Sequence, residues 1–132
     1  MTTETATITQ IANDLVAHCS TPPADNLAYD NAIWDKHFAE GWVSIEGNGK
    51  TYTGREEVTA KYKEWEAGVI CHSCKAEGPF IGQNSFSVIF DLDMECKNGS
   101  FPRMNMKEVA VYTVENGKIT KEEFCYQCPG DC

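Results

Sequence analysis

The chain has 132 residues, with 20 acids against 11 lysines and arginines and a net charge of −9. At 42% apolar and 23% charged residues it can build a packed core, which excludes wholesale disorder and fits a single domain over residues 1–132. The acidic balance argues against a nucleic-acid partner, since no basic stripe exists to neutralise phosphates. No apolar run reaches the ~20 residues that cross a bilayer, and the polar stretch Met1–Gln10 points to a cytoplasmic protein.

Ile8, Ile11, Ala12, Leu15, Val16 and Cys19 recur at helical spacing, so a first helix is expected, ending before Pro22-Pro23. Asp25 is placed to cap a second helix carrying Leu27, Ile33, Trp34, His37 and Phe38, with Gly41 as its stop. Trp42–Glu46 reads as a strand, Gly47-Asn48-Gly49 as a turn and Thr51–Thr53 as a short return strand. Thr53 and Glu56 fit the T-x-x-E capping box, so a third helix begins at Gly54. It presents Val58, Tyr62 and Trp65 on one face and ends at Gly68. From Val69 the period falls to two. Strands are expected at about 69–77, 84–96, 102–115 and 119–127, with turns at Asn98-Gly99 and Asn116-Gly117. Three helices followed by an antiparallel meander define an α+β fold, with a core over about 8–127 and a tail at 128–132.

Pairing the strands around Gly99 sets Met94 opposite Met104 and Leu92 opposite Met106 on one face. The other face then pairs Asp91 with Lys107 and Glu95 with Arg103, which cross-strand energetics favour. The two-residue turn at Asn116-Gly117 would put Phe124 and Tyr126 on the side of Val109 and Val111, out of step with Met104 and Met106. A β-bulge near Lys107-Glu108 is expected to reconcile the two.

Seven cysteines include two Cys-x-x-Cys pairs, Cys71–Cys74 and Cys125–Cys128. Two such pairs can enclose one zinc ion. Their separation of ~50 residues exceeds the usual zinc-ribbon gap of ~15–20. Strand alternation also sends Cys71 and Cys74 to opposite faces. Plain buried or surface thiols and no metal are the expectation.

Gly54-Arg55-Glu56-Glu57-Val58 opening the third helix, and Val111–Ile119 as a penultimate hairpin, resemble the SnoaL-like branch of the nuclear transport factor 2-like superfamily. The resemblance runs from about Ile8 to Gln127. It implies a cone-shaped, curved, mostly antiparallel sheet wrapped around the three N-terminal helices, with an apolar cavity and often a homodimer through the outer sheet face. Members include isomerases, dehydratases, polyketide cyclases and non-enzymatic domains, so the fold alone does not decide the chemistry.

Set beside ketosteroid isomerase, Glu46 falls where that enzyme carries its carboxylate base. The first helix holds no tyrosine for the phenolic donor, and the partner acid's position matches Val109, with Glu108 one residue away. Candidate catalytic residues are therefore Glu46, Glu108 and His37. Glu46 shares a strand face with Trp42 and Ser44, where apolar burial would raise its pKa into the range useful for proton transfer. His37 enters because imidazole titrates near neutrality. Trp34, Trp42, Tyr62, Trp65, Phe90, Met106, Phe124 and Tyr126 are the candidate pocket lining. No P-loop, dinucleotide fingerprint or nucleophile motif is present, so no cofactor is expected. Two functions stand side by side. One is a cofactor-independent isomerase, lyase or cyclase acting on a small apolar or aromatic molecule. The other is a non-catalytic ligand-binding or dimerisation domain.

Overall fold

The computed structural model describes residues 6–20 and 26–127. The expected cap at Asp25, the side chain of Leu27 and the tail at 128–132 lie outside the described residues. Helices α1 (Ile8–Ser20) and α2 (Asn26–His37) lead into β1 (Phe38–Ile45), β2 (Thr51–Thr53) and α3 (Gly54–Gly68). The strands β3 (Val69–Ile81), β4 (Ser85–Cys96), β5 (Met104–Glu115) and β6 (Lys118–Cys125) follow. They form one six-stranded sheet in the order β2-β1-β6-β5-β4-β3. All neighbours are antiparallel except β1 and β6, which run parallel. The α+β expectation holds.

The periodic face of α1 buries Ile11, Ala12 and Leu15 against β3 and β4, while α3 lies on β1 and β2. The main core joins these residues to Ile33, Trp34, Phe38, Trp42, Phe86, Val88, Phe90 and Ile119. A second, smaller cluster gathers Val69, Leu92, Met94 and Phe101, with Met104 and Met106 packed on it.

Several local details depart from the sequence expectation. The second helix ends at His37, and β1 begins at Phe38. Gly41 therefore stops no helix. It sits inside β1 at φ +72°, where the register against β6 shifts between Phe38 and Val43, a job for a residue without Cβ. The third helix starts at Gly54 as expected, but the backbone N–H of Thr53 donates to Glu57 Oε1 at 3.0 Å, not to Glu56. Gly54 takes φ +80° at the helix start, which a residue without Cβ adopts readily. Strand β3 continues to Ile81 rather than ending at 77. As an edge strand it tolerates Pro79, and register shifts at Cys71/Ser73 and Glu77/Phe80 keep it beside β4.

The pairs Met94–Met104, Leu92–Met106 and Asp91–Lys107 form in the expected register. Arg103 precedes β5 and grips Asp93 through two hydrogen bonds, 2.9 and 2.8 Å, instead of meeting Glu95. The β4–β5 ladder is continuous from Met94–Met104 to Ser85–Thr113, so no bulge interrupts it at Lys107-Glu108. The irregularity lies between β5 and β6, where Val114 pairs with Ile119 but Thr113 pairs with Lys121. Thr120 is the extra residue. It flips the rest of β6, setting Phe124 opposite Ala110 and Glu122 opposite Tyr112.

Another shift, at His72, reverses the expectation for the thiols. Cys71 pairs with Met94 and Cys74 with Leu92, which places both on one face. Cys19, Cys71, Cys74 and Cys125 are free, whereas Cys96 is disulfide-bonded, against the expectation of unpaired thiols throughout. Burial pushes the Cys19 thiol up to about 12 and Cys74 to about 11, so neither is a ready nucleophile. Among the described residues no group of three or more His, Cys, Asp or Glu side chains is arranged to hold a metal.

Candidate functional site

The parallel β1–β6 pair brings two sequence-distant segments into step. Val43, Ser44 and Ile45 lie beside Lys121, Glu122 and Glu123. Ser44 and Glu122 are neighbours on the inner face, at 0% and 3% exposure. Parallel strands also finish at the same edge of the sheet, so Glu46 and Tyr126, each just past its strand, meet there. Tyr126 donates its hydroxyl to Glu46 Oε2 at 2.7 Å. The tyrosine lies over Gly47, where an added Cβ would stand 2.6 Å from the Tyr126 carbonyl oxygen and 2.9 Å from its ring. A residue with a side chain would displace it.

The opposite oxygen of Glu46 is held from above. Val58, Lys61 and Tyr62 recur at i, i+3 and i+4 on α3, so the lysine enters the interior between two apolar residues. Its ammonium lies 2.7 Å from Glu46 Oε1 and donates to Ser44 Oγ at 2.8 Å. Rings of Tyr62, Phe124 and Tyr52 surround Nζ at 4.6, 5.0 and 5.6 Å from their centroids. An ammonium this deep is tolerable because a carboxylate, a hydroxyl and three π faces replace its water.

Two further acids face this group. Glu108 lies opposite Phe90 on the inner face of β5. Burial, with the Glu46 carboxylate beside it, pushes its carboxyl up to about 7. Burial also raises Glu122, although Lys61 and the Ser44 hydroxyl favour its charged form. Glu122 Oε1 and Trp42 Nε1 are buried without a hydrogen-bond partner. The arrangement is one lysine among three carboxyl groups and a phenol. It can hold a proton at Glu108 near neutrality, and it orients Glu46 between two donors.

Of the residues singled out from sequence, Glu46, Glu108, Tyr126 and Phe124 come together here, with Tyr62 flanking them. His37 does not join them. At 3% exposure, its Nε2 lies 2.8 Å from Asp14 Oδ2 on α1. Hydrogen bonds from His37 and Lys36 hold that Asp14 carboxyl below its ordinary range. Trp34, Trp42 and Phe90 belong to the packed core, with Trp34 and Trp42 centroids 5.3 Å apart. Two expected lining residues lie elsewhere. Trp65, one turn beyond Tyr62 at the end of α3, is 38% exposed. Met106 packs on the second cluster, toward the Asn98-Gly99 loop. Val109 faces outward at 38% exposure, so the inward acid of β5 is Glu108.

An open groove of about 840 Å³ runs past Gly41, Gly54 and Ala60 at the start of α3. A hollow of about 200 Å³ beside it is lined partly by Trp34, Phe38, Trp42 and Arg55. The acid group lies outside both. Sequence reasoning missed Lys61 and Glu122. The signal for Lys61 was present as a lysine inside the Val58–Tyr62–Trp65 stripe. Glu122 gave none, because its face depends on the bulge at Thr120.

Three helices against an open, curved, mixed sheet are the cone of the nuclear transport factor 2-like fold. The family model of the SnoaL-like domain matches residues 24–126, and the chain belongs to that family. A Mesorhizobium loti protein provisionally assigned as a SnoaL-like polyketide cyclase is 29% identical, with a TM-score of 0.77 over 91% of this chain and 99% of that one. A Bacillus subtilis protein provisionally assigned as an isomerase is 15% identical, with a TM-score of 0.68 over 90% of this chain and 88% of its own. A Catenulispora acidiphila protein with a ketosteroid isomerase-like fold, crystallised with trimethylamine, is 16% identical. Its TM-score is 0.66 over 92% of this chain and 88% of that one. These last two show the fold alone. The search of curated proteins gave no match.

Proposed function

We propose that the chain is a cofactor-independent isomerase, lyase or cyclase acting on a small, largely apolar carbonyl compound. In this reading Glu46 takes a proton from the carbon next to the carbonyl and returns it elsewhere. The observation that carries the reading is the Glu46 carboxylate, 19% exposed and held between Lys61 and Tyr126. The expectation of purely apolar neighbours gives way here to a paired carboxylate, oriented by two donors. Tyr126 and a protonated Glu108 supply the donors that the first helix lacks, and either can stabilise an enolate oxygen. The substrate in this proposal is neutral or cationic, since the one lysine of the group is already paired and the other ionisable groups are acids. A homodimer through the outer sheet face belongs to the same proposal, supported by Val109 and Phe80, exposed at 38% and 50%.

The test is solvent exchange. Small ketones and cyclic enones in D₂O are followed by proton NMR with the wild-type chain and with Glu46→Gln. Wild type is expected to exchange the protons α to a carbonyl, and the variant to bind the same compounds without exchanging them. Equal exchange by both would sink the mechanism. A second reading, a non-catalytic binding domain, draws on the mutual packing of Trp34, Trp42, Phe38 and Tyr62 inside the cone. Binding without exchange by either chain is its signature.

A further inference from the structure

Lys61 has more than one carboxylate to serve. Its Nζ sits 2.7 Å from Glu46 and 2.8 Å from Ser44 Oγ. Because Ser44 accepts from the ammonium, its own hydrogen is free to point elsewhere, and Glu122 is its neighbour across the β1–β6 ladder. Tyr126, Glu46, Lys61, Ser44 and Glu122 thus stand in a continuous line from the edge of the sheet into the core. Glu122 at 3% exposure, with one oxygen unpartnered, is costly to ionise without a cation. The cation that reaches it, across Ser44, is Lys61, and a lysine compensates one negative charge.

We propose that Glu46 and Glu122 share Lys61 as a single counter-charge, and that Glu122 is a positioning residue acting on Glu46 through Lys61 and Ser44. With Lys61 held by the Glu46 carboxylate, Glu122 favours its protonated form. With that carboxylate removed by substitution, the ammonium is left to Glu122 across Ser44. The burial that raises the Glu122 carboxyl, opposed by Lys61 and reinforced by Glu46, has the sign this requires.

Other ionisable groups face Glu122 from every side. Asp30 comes from α2, Cys19 from α1 and Tyr62 from α3. Glu108 and Tyr112 come from β5. All are neutral or negative, so none can substitute for Lys61. Burial, together with Glu122 and Glu66, pushes Asp30 up to about 7, and it lies 3.3 Å from His18.

The consequence for a reaction rests on Glu46 being the base, but the experiment reads ionisation alone and so fails or succeeds separately from turnover. The chain is labelled with ¹³C at glutamate side-chain carboxyls, Glu122 is assigned by through-bond correlation, and its shift is followed from pH 4 to pH 10. Glu46→Gln removes the competing charge, and the Glu122 midpoint is expected to fall by on the order of one pH unit or more. Lys61→Met removes the shared cation, and the midpoint is expected to rise. Either variant alone decides the matter should the other fail to fold. A Glu122 titration unmoved by Glu46→Gln, or unmoved by Lys61→Met, would overturn the proposal.

Discussion

Replacing Lys61 by methionine keeps the apolar stem to Cε and removes the ammonium, so it isolates what the charge contributes to folding. The lost contacts are a charge-assisted pair with Glu46, a hydrogen bond to Ser44 and three ring faces. Truncating one partner of a fully buried ion pair costs about 3–5 kcal/mol, because the other charge is stranded. Here Glu46 retains 19% exposure and the Tyr126 hydrogen bond, so it is only partly stranded. We expect a loss of about 2 kcal/mol for Lys61→Met and about 1 kcal/mol for Glu46→Gln. The double variant strands no charge, so it should lose less than the sum, with a coupling of about 1–2 kcal/mol. Urea unfolding followed by tryptophan fluorescence reads this directly, since Trp34 and Trp42 are buried in the core. Additivity of the two substitutions to within about 0.5 kcal/mol would refute the reasoning.

Glu108 should also leave a mark on the pH dependence of stability. Its carboxyl is raised to about 7 when folded, so between about pH 4.5 and 7 the native chain holds a proton that the unfolded chain has released. Stability is expected to fall across that window by on the order of 3 kcal/mol from this group, then level off above it. Asp30, raised to about 7, adds in the same direction. Urea midpoints at pH 5 and pH 8 should differ less in Glu108→Gln than in wild type, and an unchanged difference would rule Glu108 out as the cause. At Gly47, alanine would press a Cβ against the Tyr126 carbonyl and ring and break the bond from its phenol to Glu46. Tyr126→Phe should then cost about 1 kcal/mol in wild type and almost nothing in the Gly47→Ala background. A full cost in both backgrounds would show that the clash does not act through that hydrogen bond.

Much of this fold is local and therefore written in short stretches of sequence. The apolar period of Ile8–Cys19, the glycine after Glu66-Ala67 and the Asn98-Gly99 and Asn116-Gly117 turns each specify their element through neighbours a few residues away. The same holds for the meander from β4 to β5, whose register follows from one turn and the alternation on either side. Glu46 was legible for a similar reason. It ends a strand, and strand parity puts it with Trp42 and Ser44.

What escaped the sequence depends on contacts between distant segments. A single inserted residue at Thr120 decides which half of β6 faces inward, and nothing in Lys118–Cys125 alone says where the ladder will slip. With that slip, Glu122 arrives beside Ser44 and Phe124 beneath Lys61. Without it the acid would face outward. The parallel alignment of β1 with β6 is equally non-local, since it joins residues about 80 positions apart, and it alone brings Tyr126 to Glu46. By itself the sequence determined the elements, their order, the β4–β5 register and one acid at a strand end, because those follow from spacing and turn chemistry. The tertiary structure decided the lysine, the second buried acid and the phenol. Their positions are set by which surfaces pack together, and burial of an ammonium becomes tolerable only once its partners are all in place.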